Sequence, residues 1–252
     1  MKLPLIDAHA HLDELDDLPH ALEEARKEGV KAIVAVGMEI KSNERTLKIA
    51  RENPGFVFAA IGYHPWEIRK EEVEGNLDFL RKEARNCVAI GEVGLDYRAR
   101  VKKDLQKEVF GEVIRIALQH QKPLILHCRY SHRRVFEMIA EAGVRKAVFH
   151  WYTGPLDLLE EIIKAGYYIS ATPALTYSPP HQAAIKEAPL ERILLETDTP
   201  VQYKDLVSRP KDVLVSLRGV ARIKGMDPAE VASLTTRNAT GLFGLDAPSP
   251  FR

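Results

Sequence analysis

Net charge is the first thing this chain lacks. Thirty-six Lys and Arg balance thirty-six Asp and Glu, so the molecule as a whole does not attract a polyanion, and a nucleic acid has to meet a local basic patch. Cysteine is almost absent too. With only Cys87 and Cys128, a disulfide framework and a paired-thiolate zinc site are both excluded, which fits a reducing compartment. Apolar runs stay well short of the ~20 residues needed to span a membrane. Asp7 comes too early for a secretory leader. The expectation is a soluble, cytoplasmic protein with no membrane contact and no obligate protein partner. Asn and Gln number five each while charged residues make up 29%, a composition that leans toward heat adaptation.

What is present is an alternation. Eight short apolar, β-rich runs recur: Leu5–Ala8, Ala32–Val36, Phe56–Ile61, Val88–Ile90, Leu124–Leu126, Ala147–Phe149, Tyr167–Ser170 and Ile193–Leu195. They read as parallel strands buried on both faces. Between them apolar residues space at three and four, as in Leu18, Ala21, Leu22 and Ala25, or in Leu158, Leu159, Ile162 and Ile163 ahead of Gly166. Asp227, Pro228 and Glu230 mark the start of a late helix. This order and length predict one α/β domain, a (β/α)8 TIM barrel over 1–245 with a short tail at 246–252. A doubly wound sheet is disfavoured because no Gly-x-Gly-x-x-Gly follows the first run.

In such a barrel, chemistry sits just past the C-terminal ends of the strands. The residues there are His9 and His11, Tyr63-His64-Pro65, Glu92, His127, His150 and Glu196-Thr197-Asp198. His-x-His is a weak signal alone, but on a strand it aims both imidazoles into one volume. Burying that many polar groups is costly unless a metal or a network satisfies them. Nitrogen and oxygen donors without thiolate suit Zn, Mn or Mg. Four such histidines with Glu92 and Asp198 make six donors, which exceed the needs of one tetrahedral ion, whereas two divalent ions sharing a carboxylate use them all. That favours hydrolysis, with a phosphodiester as the natural substrate class.

The chain resembles the TatD family of metal-dependent deoxyribonucleases, within the amidohydrolase-like TIM barrels. The carriers are Ile6-Asp7-Ala8-His9-Ala10-His11-Leu12-Asp13, Gly62-Tyr63-His64-Pro65, Gly91-Glu92-Val93-Gly94-Leu95-Asp96-Tyr97, Gln106 with Phe110, His127-Cys128-Arg129, His150, Glu196-Thr197-Asp198 and Asn238 to Phe243. The resemblance implies one ion on His9, His11, Glu92 and Asp198 and the other on Glu92, His127 and His150. It makes Glu92 the catalytic bridge and gives Asp198 the attacking water to orient or deprotonate. It assigns His64 and Arg129 to substrate phosphate. Two departures stand out: His150-Trp151-Tyr152-Thr153-Gly154 in place of His-Cys-Phe-Ser-Gly, and Ser208-Arg209-Pro210 in place of Arg-Asn-x-Pro.

Tyr63, Trp66, Tyr97, Trp151 and Tyr152 lie close in sequence to these groups, where aromatic rings can stack unpaired bases; Tyr97 and Trp151 are the candidates for substrate contact. Arg98, Arg100, Lys102, Lys103, Arg129, Arg133 and Arg134 form the expected local basic rim. Cys128 is expected to face away from the site, and Gly91 and Gly94 to leave room for the ions. The resulting expectation is a nuclease that trims single-stranded DNA, or RNA, in the 3′ to 5′ direction. The competing readings are an ester, aminoacyl-ester or amide hydrolase, and a scaffold whose metal is structural.

Overall fold

The computed structural model describes residues 3–245; the predicted tail at 246–252 lies outside the described residues. Eight strands follow one another in chain order: β1 (Leu5–Ala10), β2 (Val30–Val36), β3 (Val57–Ile61), β4 (Ala89–Asp96), β5 (Leu124–Arg129), β6 (Ala147–Phe149), β7 (Tyr168–Ala171) and β8 (Ile193–Leu195). Each is parallel to the next. Helices α1 (Leu18–Glu28), α2 (Ile40–Glu52), α3 (Val73–Glu83), α4 (Lys103–Gln119), α5 (His132–Glu141), α6 (Leu156–Lys164) and α7 (Pro179–Glu187) make the crossovers. Then α8 (Val213–Lys224) and α9 (Pro228–Phe243) follow β8. This is a single-domain TIM barrel. Among the described residues no helix is long and apolar enough to cross a membrane.

Alternation along the strands divides the core. Ala8, Val34, Ala60, Ala89, Ile125, Val148 and Leu194 cluster together with Leu242 and Phe243 of α9, while Ile33, Val57, Ile90, Leu126 and Phe149 pack beneath the helices. Side chains two apart share a face. Continuing the first set along its own strands therefore leads to His64, His127, His150, Glu196 and Asp198. The aliphatic filling of the barrel thus runs directly into its polar mouth.

Two strands run further than the apolar pattern marks. β4 continues through Glu92 to Asp96 with every residue buried, and β1 continues to Ala10, so His9 lies within it and His11 just past it. Where these strands go on, the sequence interrupts the apolar run with polar residues and glycines, and in β4 only Val93 and Leu95 still enter the core, while hydrogen bonding to neighbouring strands continues. Late in the chain, Asp227 accepts the Ala229 amide (2.7 Å) and Pro228 opens α9, as its sequence signature predicts.

The barrel closes at its mouth. Between β1 and the segment leaving β8, the Asp198 amide donates to the His9 carbonyl (2.9 Å) and the His11 amide to the Thr199 carbonyl (2.7 Å). Fully buried Asp7 ties the same seam, accepting the Thr197 amide at 2.9 Å and its hydroxyl at 2.6 Å. A stranded buried donor costs about 1–3 kcal/mol. Asp7→Ala strands two and is expected to lower the thermal midpoint by about 4 °C or more, given ~2–4 °C per kcal/mol for a domain this size. An unchanged midpoint in calorimetry would show that the seam does not depend on this carboxylate.

Candidate active site

Glu92 lies at the centre of the mouth, 3% exposed, and its two oxygens face different partners. Oε2 lies 3.3 Å from His9 Nε2 and 3.4 Å from His11 Nε2. Those same two nitrogens lie 3.4 and 3.6 Å from Asp198 Oδ1. Oε1 lies 2.6 Å from His127 Nδ1, 3.3 Å from His150 Nε2 and 3.5 Å from His64 Nε2. All six residues expected as metal ligands therefore converge here, from β1, β4, β5 and the segments after β1, β6 and β8.

The far nitrogen of each imidazole shows what the near one is free to do. His11 Nδ1 is 3.0 Å from the Val36 carbonyl, His150 Nδ1 is 3.0 Å from Glu196 Oε1, and His127 Nε2 is 3.2 Å from Asp96 Oδ2. With each outer nitrogen donating to an oxygen, the inner nitrogen is the one that would give its lone pair to an ion once its own proton leaves, as in metal-binding histidines. His9 Nδ1 is a buried nitrogen without a hydrogen-bond partner among the described residues, and its Nε2 faces the cluster. This donor set fits divalent cations. His64 differs. Its Nδ1 accepts the Trp66 amide at 3.2 Å, so its proton sits on Nε2 and is directed at Glu92. Although His64, Glu92 and His127 are close enough together to hold an ion, this tautomer makes His64 a donor to oxygen.

A profile of the TatD-related DNase family matches residues 6–244. The chain belongs to that family. It is 31% identical to human deoxyribonuclease TATDN3 over 95% of this chain and 94% of that protein. It is 33% identical to the Bacillus subtilis metal-dependent hydrolase YabD, over 96% of this chain and all of that one. Among solved structures, the TatD homologue YjjV from Escherichia coli superposes with a TM-score of 0.86 at 27% identity, covering 95% of this chain and 98% of its own. As a TatD-family member the chain is a metal-dependent hydrolase of ester bonds.

Around this TatD site the structure adds two carboxylates that the sequence argument quoted without assigning a task. Asp96, fully buried, accepts from His127 and also from the Trp66 indole nitrogen (2.5 Å). Gln106 secures that strand end, accepting the Asp96 amide and donating to its carbonyl, both at 2.8 Å. Glu196 holds His150 and the Trp151 amide (3.0 Å). A signal was available: Glu92 and Asp96 are four apart on one strand, Glu196 and Asp198 two apart at a strand end, and even separations share a face.

Several placements differ from expectation. Gly91 and Gly94 do not make room for ions. A methyl on Gly91 would lie 2.5 Å from Ile125 Cβ, and one on Gly94, at φ +145°, would collide with the His127 carbonyl, so both glycines let β4 and β5 approach closely. Cys128 borders the mouth, yet it packs against the helix-side cluster with Leu126, two residues before it on β5, and burial pushes its thiol well above the ordinary range, which keeps it protonated. Tyr97 lies outside the metal-site cavity, on the wall of a neighbouring one, while Trp66, Arg129 and Trp151 line the first. Two cations of the expected basic rim are matched by acids: Arg133 pairs with Glu161 (2.8 Å) and Arg134 with Glu137 (3.3 Å). Arg209, from the Ser-Arg-Pro departure, bonds Asp17 and Glu24 at 2.9 and 2.7 Å.

Charge within the cluster is strongly coupled. Burial opposes ionising His150, yet Glu196, Glu92 and Asp198 outweigh it and push its value up to about 10. Burial likewise opposes His11, but Asp198 and Glu92 raise it well above 6.5. Burial alone would raise Asp198, but His150, His11 and His9 bring it down to about 2, and Glu92 is held well below 4.5 in the same way. His64 goes the other way, pushed down to about 4, chiefly by burial. Raised imidazoles stabilise the fold at pH below about 6.5 and lose that contribution as pH rises through about 10. Metal-free protein is therefore expected to have urea midpoints that fall from pH 6.5 to 10, with Glu196→Gln flattening the decline. A level profile in the presence of chelator would contradict the imidazolium assignment.

Proposed function

We propose that this chain is a divalent-metal phosphodiesterase that trims single-stranded DNA from its 3′ end, with two ions at the mouth. The observation that carries this reading is the division of Glu92: Oε2 faces His9 and His11, and Oε1 faces His127 and His150. His9, His11, Glu92 and Asp198 would hold one ion, and Glu92, His127 and His150 the other. When bound, such a pair lowers the pKa of water and screens charge building on a phosphoryl group.

The residues supply the rest. Asp198 is ionised at neutral pH and accepts the proton of the attacking water as its oxygen bonds phosphorus and the phosphorus–oxygen bond to the leaving nucleotide breaks. His64 Nε2–H donates to a non-bridging phosphate oxygen, being neutral and held in that tautomer by the Trp66 amide. The Arg129 guanidinium at the rim takes phosphate through paired hydrogen bonds. Trp66, 52% exposed but anchored by Asp96, and Trp151 offer faces to unpaired bases. DNA as substrate is supported by the name of the human relative, a deoxyribonuclease. The amide-hydrolase alternative is disfavoured because the group between the two donor sets is Glu92, and no lysine lines the cavity.

End-labelled single strands incubated with Mg²⁺ or Mn²⁺ are expected to shorten stepwise from the 3′ end, and to stop on chelation with the fold retained. An unchanged ladder with metal-loaded protein would refute the reading. Asp198→Asn is expected to keep most of its metal while turnover falls by on the order of 10²-fold. Glu92→Ala should lose metal as well as rate. Two ions still bound per chain in that variant would rule out the shared carboxylate.

A further inference from the structure

Beside the metal-site cavity of about 540 Å³ lies a second of about 750 Å³, and the two share walls at Cys128, Arg129, Thr153 and Ser178. Each is within the ~300–1,000 Å³ usual for ligand pockets. Together they form one continuous trough. The second cavity holds none of the metal-binding donors. Its one carboxylate, Glu137, is taken by Arg134. Arg129 stands on the shared wall with no ion pair among the described residues, so the unneutralised cation lies where the cavities meet.

The aromatic lining is more telling. Tyr130 lines this cavity, is 70% exposed, and sits at φ +56°. A left-handed backbone costs a side-chain-bearing residue about 1–2 kcal/mol, and here no burial of the ring offsets it. The conformation is imposed from both sides: the Tyr97 amide donates to the Arg129 carbonyl at 2.9 Å, and the Ser131 hydroxyl to the Leu95 carbonyl at 2.5 Å. Strain of this kind gathers at binding and catalytic sites. Two other left-handed residues, Trp151 at +41° and Asp198 at +51°, occupy the same rim. Arg98 lies 5.9 Å from the centre of the Tyr130 ring, a cation beside an exposed aromatic face.

We propose that the second cavity is the subsite for the nucleotides adjoining the one at the metal cluster. Arg129 takes the phosphate that joins the two positions, and Tyr130 stacks on the following base. An unpaired guanidinium followed by an exposed, fixed ring matches a strand's alternation of phosphate and base, and aromatic stacking accepts any base. The proposal rests on the phosphodiesterase reading above.

Two measurements test it. Binding of fluorescein-labelled octathymidylate, followed by anisotropy in chelator where no cleavage occurs, is expected to weaken about tenfold in Tyr130→Ala, within the range for one stacked base. Tyr130→Phe should bind within about twofold of the parent protein. With Mn²⁺, the preference for octathymidylate over the p-nitrophenyl ester of thymidine 5′-phosphate, as a ratio of kcat/KM values, should fall by a similar factor in Tyr130→Ala alone. Unchanged octamer affinity, or equal losses on both substrates, overturns the subsite while leaving the phosphodiesterase reading standing. If the metal-loaded parent cleaves neither substrate, that reading fails and the subsite fails with it.

Discussion

The structure depends on keeping one desolvated carboxylate in place. Glu92 is buried among five imidazoles, and without opposite charge or hydrogen bonds its ionised form would be untenable there. The surrounding groups come from separate strands, and most are secured from behind: His11 by the Val36 carbonyl, His127 by Asp96, His150 by Glu196. Gly91 and Gly94 let β4 lie closely against β5, where His127 comes within 2.6 Å of Glu92. The barrel is thus a frame that converts strand spacing into donor spacing.

Closure of the barrel and assembly of the site occur at the same place. The hydrogen bonds joining the end of β8 to β1 run through the backbone of His9, His11 and Asp198, and Asp7 fastens the Thr197 segment between them. Loss of closure would therefore displace His9, His11 and Asp198 directly. Left-handed backbone at Asp198, Trp151 and Tyr130 follows three of the strands at this rim. The aliphatic filling below, from Ala8 to Leu194 and capped by Phe243, supplies the rigidity that strained turns need.

Recognition is local in a protein with no net charge. Arg133, Arg134 and Arg209 are cations by composition but are matched by acids on their own or neighbouring helices and loops. Arg129, placed at the junction of two cavities, has no such acid among the described residues. A basic cluster in a sequence says little about available charge, because each pairing depends on which acid the fold brings within reach.

The sequence by itself determined the barrel and the identity of the converging donors. Eight alternating apolar runs have few ways to bury both faces, and side chains past each strand end must face the mouth, so His9, His11, Glu92, His127, His150 and Asp198 were legible from spacing and from family resemblance. Strand ends were less legible, because β4 continues through Glu92 to Asp96 with its apolar pattern broken by Gly91, Glu92 and Gly94. Only the tertiary structure decided which nitrogen of each histidine faces inward, that His64 is a donor, and that Tyr97 belongs to a second cavity. It also decided that Arg133, Arg134 and Arg209 are matched by acids while Arg129 is not. Those outcomes turn on contacts between residues far apart in the chain, such as Asp7 with Thr197 or His150 with Glu196, and strand register sets such contacts within tenths of an ångström.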